Sequence, residues 1–127
     1  DLLAHWQSGF GAAYNPDRSQ ALKLVDILPD LSGAVEAIRR ESGREPRLIA
    51  TGAGISRDIT GYAEMRDIMR REGGAYLLLF GTGWGLTADT VAAADFRLQP
   101  IYGREGYNHL SVRSAAAIIF DRLLGAD

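Results

Sequence analysis

The sequence predicts an α/β domain with a parallel sheet and helices on both faces of the sheet. Short apolar runs alternate along the chain with segments of helical spacing, and glycine or proline separates most of them. Consecutive parallel strands need a crossover connection, which a helix supplies, so this alternation is typical of βαβ units. The chain of 127 residues has room for one core, and we expect a single domain over residues 1–127.

The elements of the first half follow from local signals. Residues 1–10 open with helical spacing, Pro16 predicts a turn, and the apolar run KLVDIL at 23–28 predicts a short strand. Asp30 or Ser32 is expected to cap the next helix, which carries an apolar face and ends at a glycine. The second strand is predicted in PRLIATGAG at 46–54. Leu31, Val35 and Ile38 form the apolar face of the helix that precedes this strand, and Gly43 closes the helix.

The second half continues the alternation. Thr60 is the predicted N-cap of GYAEMRDIMRREGG at 61–74, and AYLLLF at 75–80 predicts a third strand buried on both faces because it does not alternate. Thr87 is expected to cap a short helix that runs through Ala94. A fourth strand in DFRLQP and a last helix starting at Ser111 complete the pattern.

Two features of this half need further explanation. AAAIIF at 115–120 is apolar all round, which predicts either an ordinary core helix or a helix covered by both its own sheet and another subunit. TGAG at 51–54, GTGWG at 81–85 and QPIYGREGYNH at 99–109 each follow a strand directly. If those strands are neighbours, the three loops line one crevice at the carboxyl edge of the sheet.

The glycine loop fits none of the common phosphate motifs. Leu86 stands where a dinucleotide fingerprint needs its third glycine, no lysine follows as in a phosphate-binding P-loop, and no serine provides a nucleophile elbow. A loop with alternate glycines instead exposes bare main chain to a flat or apolar ligand, with Trp84 and Leu86 as walls. A tight turn without a ligand remains the alternative.

Composition and charge exclude other classes. Hydrophobic residues make up 46% of the chain and cysteine is absent, so a disordered chain, disulfides and thiolate zinc sites are excluded. We expect no metal, no membrane span and a cytoplasmic location. The net charge of −2 argues against bulk electrostatic binding of nucleic acid. Residues 39–71 nevertheless hold eight arginines against five acidic residues, either as solvated helix faces or as a local basic surface.

Four segments together resemble a known family. HWQSGFGAAYNPDR, LIATGAG, LLLFGTGWGLT and NHLSVRSAAAI span nearly the whole chain. In them the sequence resembles SPOUT-class RNA methyltransferases, and in particular the predicted RNA methyltransferase domain found fused to bacterial tRNA (guanine-N1) methyltransferases. The resemblance implies S-adenosylmethionine as the cofactor, a C-terminal trefoil knot and an active site at a homodimer interface formed by the C-terminal helix region.

The resemblance also implies a set of cofactor-binding residues in the three loops. Backbone amides would read the adenine edge, and Leu86 and Leu110 would sandwich the ring. Domains of this class begin with a strand, a helix and a second strand, so we expect these elements to precede Asp1 in the complete molecule. The implied cofactor-binding residues are Thr51, Gly52, Phe80, Gly81, Thr82, Gly83, Trp84, Gly85, Leu86, Ile101, Tyr107, Leu110 and Ser111.

Few side chains are candidates for catalysis. His109 is a candidate base near neutral pH, Asn108 adjoins it, and Arg113 is a candidate clamp for a phosphate or for the methionine carboxylate. Structural explanations are also open for these residues. His109 would fix a turn, Arg113 would form an ion pair, and Ser111 would be a simple N-cap. We expect methyl transfer to RNA, with tRNA favoured over rRNA. The alternatives are a non-catalytic cofactor- or RNA-binding module and a nucleotide-binding domain unrelated to methylation.

Overall fold

The first described part of the chain, residues 16–42, forms two helices joined by an irregular segment. The computed structural model describes residues 16–104, 106 and 108–126, and the contacts divide the chain into the units Asp1–Ala34 and Val35–Asp127. Helix α1 spans Pro16–Leu22, and α2 spans Leu31–Ser42, across the border between the two units. The predicted opening helix in residues 1–10 lies outside the described residues. A single domain over residues 1–127 stays a prediction.

The strand predicted at 23–28 is wrong. These residues form no regular structure, and Leu24 and Ile27 are 87% and 74% exposed. A strand needs a neighbouring strand for its main-chain hydrogen bonds, and this segment pairs with none of the four strands in the described part of the chain. Apolar composition alone could not show that the partner was missing.

The predicted ends of α2 are confirmed. The Asp30 carboxylate accepts a hydrogen bond of 2.8 Å from the Gly33 amide, so Asp30 acts as the cap. At the other end Gly43 adopts a φ of 71°, and its amide donates to the Arg39 carbonyl at 2.9 Å. Glycine adopts this left-handed conformation without steric cost, which explains why α2 ends there.

Besides the larger part of α2, the described residues of the second unit form four parallel strands and three helices. In chain order they are β1 (Arg47–Ala50), β2 (Ile59–Thr60), α3 (Tyr62–Glu72), β3 (Tyr76–Leu79), α4 (Ala88–Ala93), β4 (Phe96–Leu98) and α5 (Val112–Leu124). The strand order within the described sheet is β2-β4-β1-β3. The predicted parallel sheet is confirmed, and the central strand β1 lies between β3 and β4. Helices on both faces of the sheet stay a prediction.

Two details of the strands differ from prediction. Thr60 does not cap α3, because it pairs with Leu98 as part of the short strand β2, which the sequence analysis did not predict. The N-cap is Gly61, which offers no side-chain hydrogen bond. The four residues of β3 are half-buried rather than buried, because β3 lies at the edge of the described sheet.

The core joins the sheet to α3 and α5. Its buried side chains are Ile49 of β1, Met65 of α3, Leu98 of β4, and Ile119 and Leu123 of α5. Arg66 of α3 strengthens the contact, since its guanidinium donates to the main-chain carbonyls of Arg122 and Gly125 at 2.8 and 2.9 Å. These donors satisfy carbonyls that the end of α5 leaves without helical partners.

Helix α5 is covered on one face only by the described chain. Ile119 and Leu123 are each 3% exposed, whereas Phe120 and Leu124 are 46% and 67% exposed. The predicted helix that is apolar all round therefore has one buried face and one apolar face that the described residues leave uncovered.

Candidate functional site

A cavity of about 870 Å³ opens at the carboxyl ends of β1, β3 and β4. All three strands are parallel and adjacent, so the loops that follow them leave the sheet at the same edge. Residues from all three loops line the cavity, which confirms that the loops meet. The volume lies within the range of about 300–1,000 Å³ that is typical of small-ligand pockets.

The loop after β1 is tied to both of its neighbours. Thr51 is buried, and both its amide and its hydroxyl donate to the Leu79 carbonyl, at 3.1 and 2.7 Å. Further along, the Ala53 carbonyl accepts a hydrogen bond of 2.9 Å from the side-chain amide of Asn108. The first loop is therefore held to β3 on one side and to the third loop on the other.

The glycine loop after β3 folds back on itself. The Gly85 amide donates to the Thr82 carbonyl at 2.7 Å, and these two residues form an isolated antiparallel bridge. A Cβ on Gly81 would lie 2.2 Å from the Gly85 carbonyl carbon, and Gly85 has a φ of 79°. The fold therefore requires both outer glycines, one for close backbone approach and one for its left-handed conformation.

The central glycine has no such structural cause. A Cβ on Gly83 would meet no atom within 4 Å, and its φ does not lie in the left-handed region. The neighbouring Trp84 is 99% exposed, so this indole packs against nothing in the described chain. Both residues line the cavity. The chain itself would accept a side chain at position 83, and the bare main chain there faces the cavity.

The third loop brings some of its predicted residues to the cavity. Ile101, Asn108, His109 and Leu110 line it, whereas Tyr107 lies outside the described residues. Ser111 is the N-cap of α5 and accepts a hydrogen bond of 3.1 Å from the Ser114 amide. Neither Ser111 nor the exposed Arg113 is among the residues that line the cavity in this chain. Their predicted roles in cofactor binding and catalysis stay predictions.

The cavity also contains residues that the sequence analysis missed. Arg97 of β4 lines it and donates to the Ala94 carbonyl at 2.9 Å and, through Nε, to the Asp58 carbonyl at 3.3 Å. It thereby joins the end of α4 to the segment before β2. A charged side chain in the otherwise apolar run FRL was the signal that could have identified it.

Tyr62 is a second missed residue of the cavity wall. Its hydroxyl donates to the Gln99 carbonyl at 2.7 Å, and the Arg122 guanidinium lies 4.8 Å from the centre of its ring. Burial raises the pKa of the Tyr62 phenol, and the nearby Arg122 opposes that rise. No local signal in the sequence indicated that the hydroxyl of Tyr62 reaches the third loop.

The described residues lack the features of a metal site and of a membrane-spanning helix. No group of three or more histidine, aspartate or glutamate side chains is placed to hold a metal ion within the described chain. Among the helices described, none combines the length and the apolar character that crossing a bilayer requires.

The fold and the cavity define a class of protein. In this parallel α/β fold, loops with exposed main chain form a pocket at the carboxyl ends of the strands. Such an arrangement identifies an α/β domain that binds a small ligand or a cofactor. The SAM-dependent RNA methyltransferase family matches residues 1–125. The chain therefore belongs to that family, and S-adenosylmethionine is the cofactor of the family. The resemblance inferred from the four segments is confirmed at this level.

Relatives of the chain agree with this assignment. The chain is 46% identical to a tRNA (guanine-N(1)-)-methyltransferase of Oleidesulfovibrio alaskensis and 44% identical to one of Nitratidesulfovibrio vulgaris, each over 98% of the chain. It spans only 28% of the length of these two curated relatives. An uncharacterized protein of Aquifex aeolicus is 39% identical over 95% of the chain and 59% of its own length.

Two solved structures share the fold. TrmJ from Z. mobilis ZM4 matches 94% of the chain and 51% of its own length, with a TM-score of 0.65 and 20% identity. A probable methylase family protein from Haemophilus influenzae Rd KW20 matches 84% of the chain and 48% of its own length, with a TM-score of 0.61 and 18% identity. At these identities the likeness concerns the fold alone.

Proposed function

We propose that this chain is a methyltransferase domain that transfers a methyl group from S-adenosylmethionine to RNA, with tRNA as the favoured substrate. Membership of the family supports the reaction. The names of the two bacterial relatives support the choice of tRNA. The observation that carries the proposal is the cavity that the three strand-end loops form together.

The residues of the cavity fit the cofactor. A nucleoside with an amino acid tail needs a pocket of several hundred Å³, apolar walls for its base, and uncovered main-chain groups that can read the edge of the base. Leu86 and the 44% exposed Leu110 supply apolar surface, and Gly83 leaves the main chain accessible. We assign cofactor binding to the cavity residues Thr51, Gly52, Phe80 to Leu86, Ile101 and Leu110. We add Tyr107 and Ser111, which the family resemblance implies.

The work left to the protein is mainly positioning. S-adenosylmethionine supplies a sulfonium methyl group that already carries its leaving group, so the chain has to align the acceptor atom and remove its proton. His109 lines the cavity, and we assign the role of base to it. Asn108 holds the third loop against the first. We assign Arg113, at the start of α5, to a phosphate or to the cofactor carboxylate.

The proposed active form is a cytoplasmic homodimer of knotted domains. The homodimer is supported by the apolar face of α5 that includes Phe120 and Leu124 and that the described residues leave uncovered. A second copy placed against this face would lie beside the cavity, because the rings of Phe120 and of the cavity residue Phe80 are 6.4 Å apart. The knot and the cytoplasmic location follow from the family resemblance and from the absence of cysteine in the sequence.

Two measurements on the 127-residue chain test the reaction. Calorimetric titration with S-adenosylhomocysteine tests cofactor binding, and transfer of a radiolabelled methyl group to unfractionated tRNA and to rRNA tests activity. We expect saturable binding and label in tRNA. Binding without label in either RNA would instead identify a non-catalytic module. The absence of any cofactor binding would exclude the proposed function.

A further inference from the structure

The arginines of the basic segment 39–71 have different environments in the fold. Arg39 pairs with Glu36 and Glu45 at 2.5 and 2.6 Å, and Arg47 and Arg71 also form ion pairs. Arg66 donates to the carbonyls at the end of α5. Of the eight arginines in this segment, all of them described, only Arg57 lines the cavity. The positive charge that the segment brings to the candidate site is therefore concentrated in one side chain.

Arg57 belongs to a stretch of main chain that is fixed on both sides of it. The Ala53 carbonyl accepts a hydrogen bond from Asn108 at 2.9 Å, and the Asp58 carbonyl accepts one from Arg97 Nε at 3.3 Å. Asp58 has a φ of 51°, a conformation that residues other than glycine seldom adopt, which defines the direction of the chain beside Arg57. The position of the Arg57 main chain at the cavity is thus set by the fold.

The side chain of Arg57 is exposed, and no described residue holds it in place. It forms neither an ion pair nor a hydrogen bond with any residue in the described part of the chain, and the adjacent Asp58 carboxylate is not paired with it. Arg97 also lines the cavity, but its guanidinium is engaged by main-chain carbonyls. A guanidinium that the described residues leave unpaired, carried by fixed main chain beside a pocket, is suited to binding an anion that remains outside the pocket.

We infer that Arg57 binds a backbone phosphate of the RNA next to the nucleotide that enters the cavity, an inference that rests on the proposed function. An RNA whose base enters the pocket must keep its phosphates at the rim, where a fork of N–H donors meets phosphate oxygens in a bidentate geometry. Loop 53–58 is then the wall of the cavity that faces the substrate. The glycine loop and Leu110 form the part that we assign to the cofactor.

The test compares two arginines that differ mainly in location. Arg44 is exposed and precedes β1, and its Nη1 lies 4.0 Å from the position of a Cβ on Gly74, just before β3, at the opposite edge of the sheet from the cavity. Arg57→Ala and Arg44→Ala remove the same charge, and Arg57→Lys keeps the charge without the bidentate fork. Binding of fluorescently labelled, unfractionated tRNA to the 127-residue chain is measured by anisotropy over a series of salt concentrations, with S-adenosylhomocysteine present.

We expect Arg57→Ala to weaken tRNA binding about tenfold and to reduce the slope of log K against log salt concentration by about one. Arg57→Lys should bind with intermediate affinity, and Arg44→Ala should stay close to the unchanged chain. Titration with S-adenosylhomocysteine should give the same affinity in all variants. Equal loss of tRNA binding in Arg57→Ala and Arg44→Ala would overturn the inference, as would loss of cofactor binding in Arg57→Ala.

The outcomes separate this inference from the proposed function. Arg57-dependent tRNA binding without methyl transfer would support the phosphate contact and remove the proposed reaction. Methyl transfer that is insensitive to Arg57→Ala, with unchanged tRNA binding, would support the reaction and overturn the phosphate contact.

Discussion

The side-chain amide of Asn108 donates a hydrogen bond of 2.9 Å to the main-chain carbonyl of Ala53 and thereby joins the loop after β4 to the loop after β1. The two residues are 55 positions apart in the chain. The contact gives Asn108 a positioning role, which the sequence-based proposal of catalysis did not include. Two of the three loops around the cavity are held together by this bond.

Replacing Asn108 by alanine should weaken cofactor binding more than it destabilises the fold. One hydrogen bond contributes about 1 kcal/mol, which corresponds to roughly a fivefold loss of affinity if the loop must be reordered on binding. Calorimetric titration with S-adenosylhomocysteine measures the affinity. Asn108→Asp keeps the shape of the side chain but faces the carbonyl with an acceptor, so it should be at least as impaired. Unchanged affinity in both variants would contradict the positioning role.

Gly81→Ala should destabilise the glycine loop. The added Cβ would lie 2.2 Å from the Gly85 carbonyl carbon and 2.4 Å from the Leu86 nitrogen, so main chain has to move. Overpacking of this kind costs about 1–3 kcal/mol, which urea unfolding followed by circular dichroism will detect. Gly83→Ala is the matched control, because its Cβ meets no atom within 4 Å. Equal stability of the two variants would show that the loop relaxes at no cost.

Gly83→Val tests whether a ligand approaches the central glycine. The fold has space for the side chain, so we expect a near-native far-UV circular dichroism spectrum and an unchanged unfolding midpoint. The branched side chain should block the uncovered main chain and abolish binding of S-adenosylhomocysteine. If the valine variant binds the cofactor normally, the ligand does not contact this part of the loop.

Substitutions on the two faces of α5 should have different effects. Ile119 is 3% exposed in the core, so Ile119→Asp buries an unpaired carboxylate and should lower the free energy of unfolding by more than about 3 kcal/mol. Phe120 is 46% exposed, and Phe120→Asp should leave the fold intact and convert a dimer to a monomer in sedimentation experiments. A Phe120→Asp variant that sediments like the unchanged chain would contradict a dimer formed through this face.

The raised pKa of Tyr62 predicts a stability change at alkaline pH. Because burial raises the pKa in the folded state above the usual value of about 10, the unfolded chain loses this proton first as pH rises. The contribution of the phenol to stability is complete below pH 10 and declines as pH rises through the folded-state pKa. The difference in unfolding free energy between the unchanged chain and Tyr62→Phe should therefore narrow above pH 10. If the difference in unfolding free energy stays constant up to pH 12, the predicted link between the Tyr62 pKa and stability is contradicted.

The sequence predicted the elements whose signals are local. Asp30, Thr87 and Ser111 each offer an oxygen that satisfies a free amide at a helix start, and the structure uses all three as caps. The strands at 47–50, 76–79 and 96–98 were visible as apolar runs between helices. The meeting of three loops followed from the rule that parallel strands end at one edge of a sheet.

Features that depend on distant partners could not be predicted in the same way. The run at 23–28 has the composition of a strand, but a strand forms only where a neighbouring strand pairs with it. The composition of the run does not show whether such a neighbour exists. Thr60 has cap chemistry, yet its main chain pairs with Leu98 some 38 positions away. The bonds from Arg97 to Asp58 and from Asn108 to Ala53 likewise depend on the sheet order, which local patterns do not give.

The bridge between Thr82 and Gly85 has a consequence for binding. Because the loop closes through its own main chain, its conformational entropy is lost when the chain folds rather than when a ligand arrives. Attraction between a ligand and this loop then contributes to affinity without an ordering penalty. Association should accordingly resemble docking to a rigid receptor, with little change in the heat capacity beyond that of the apolar surface covered.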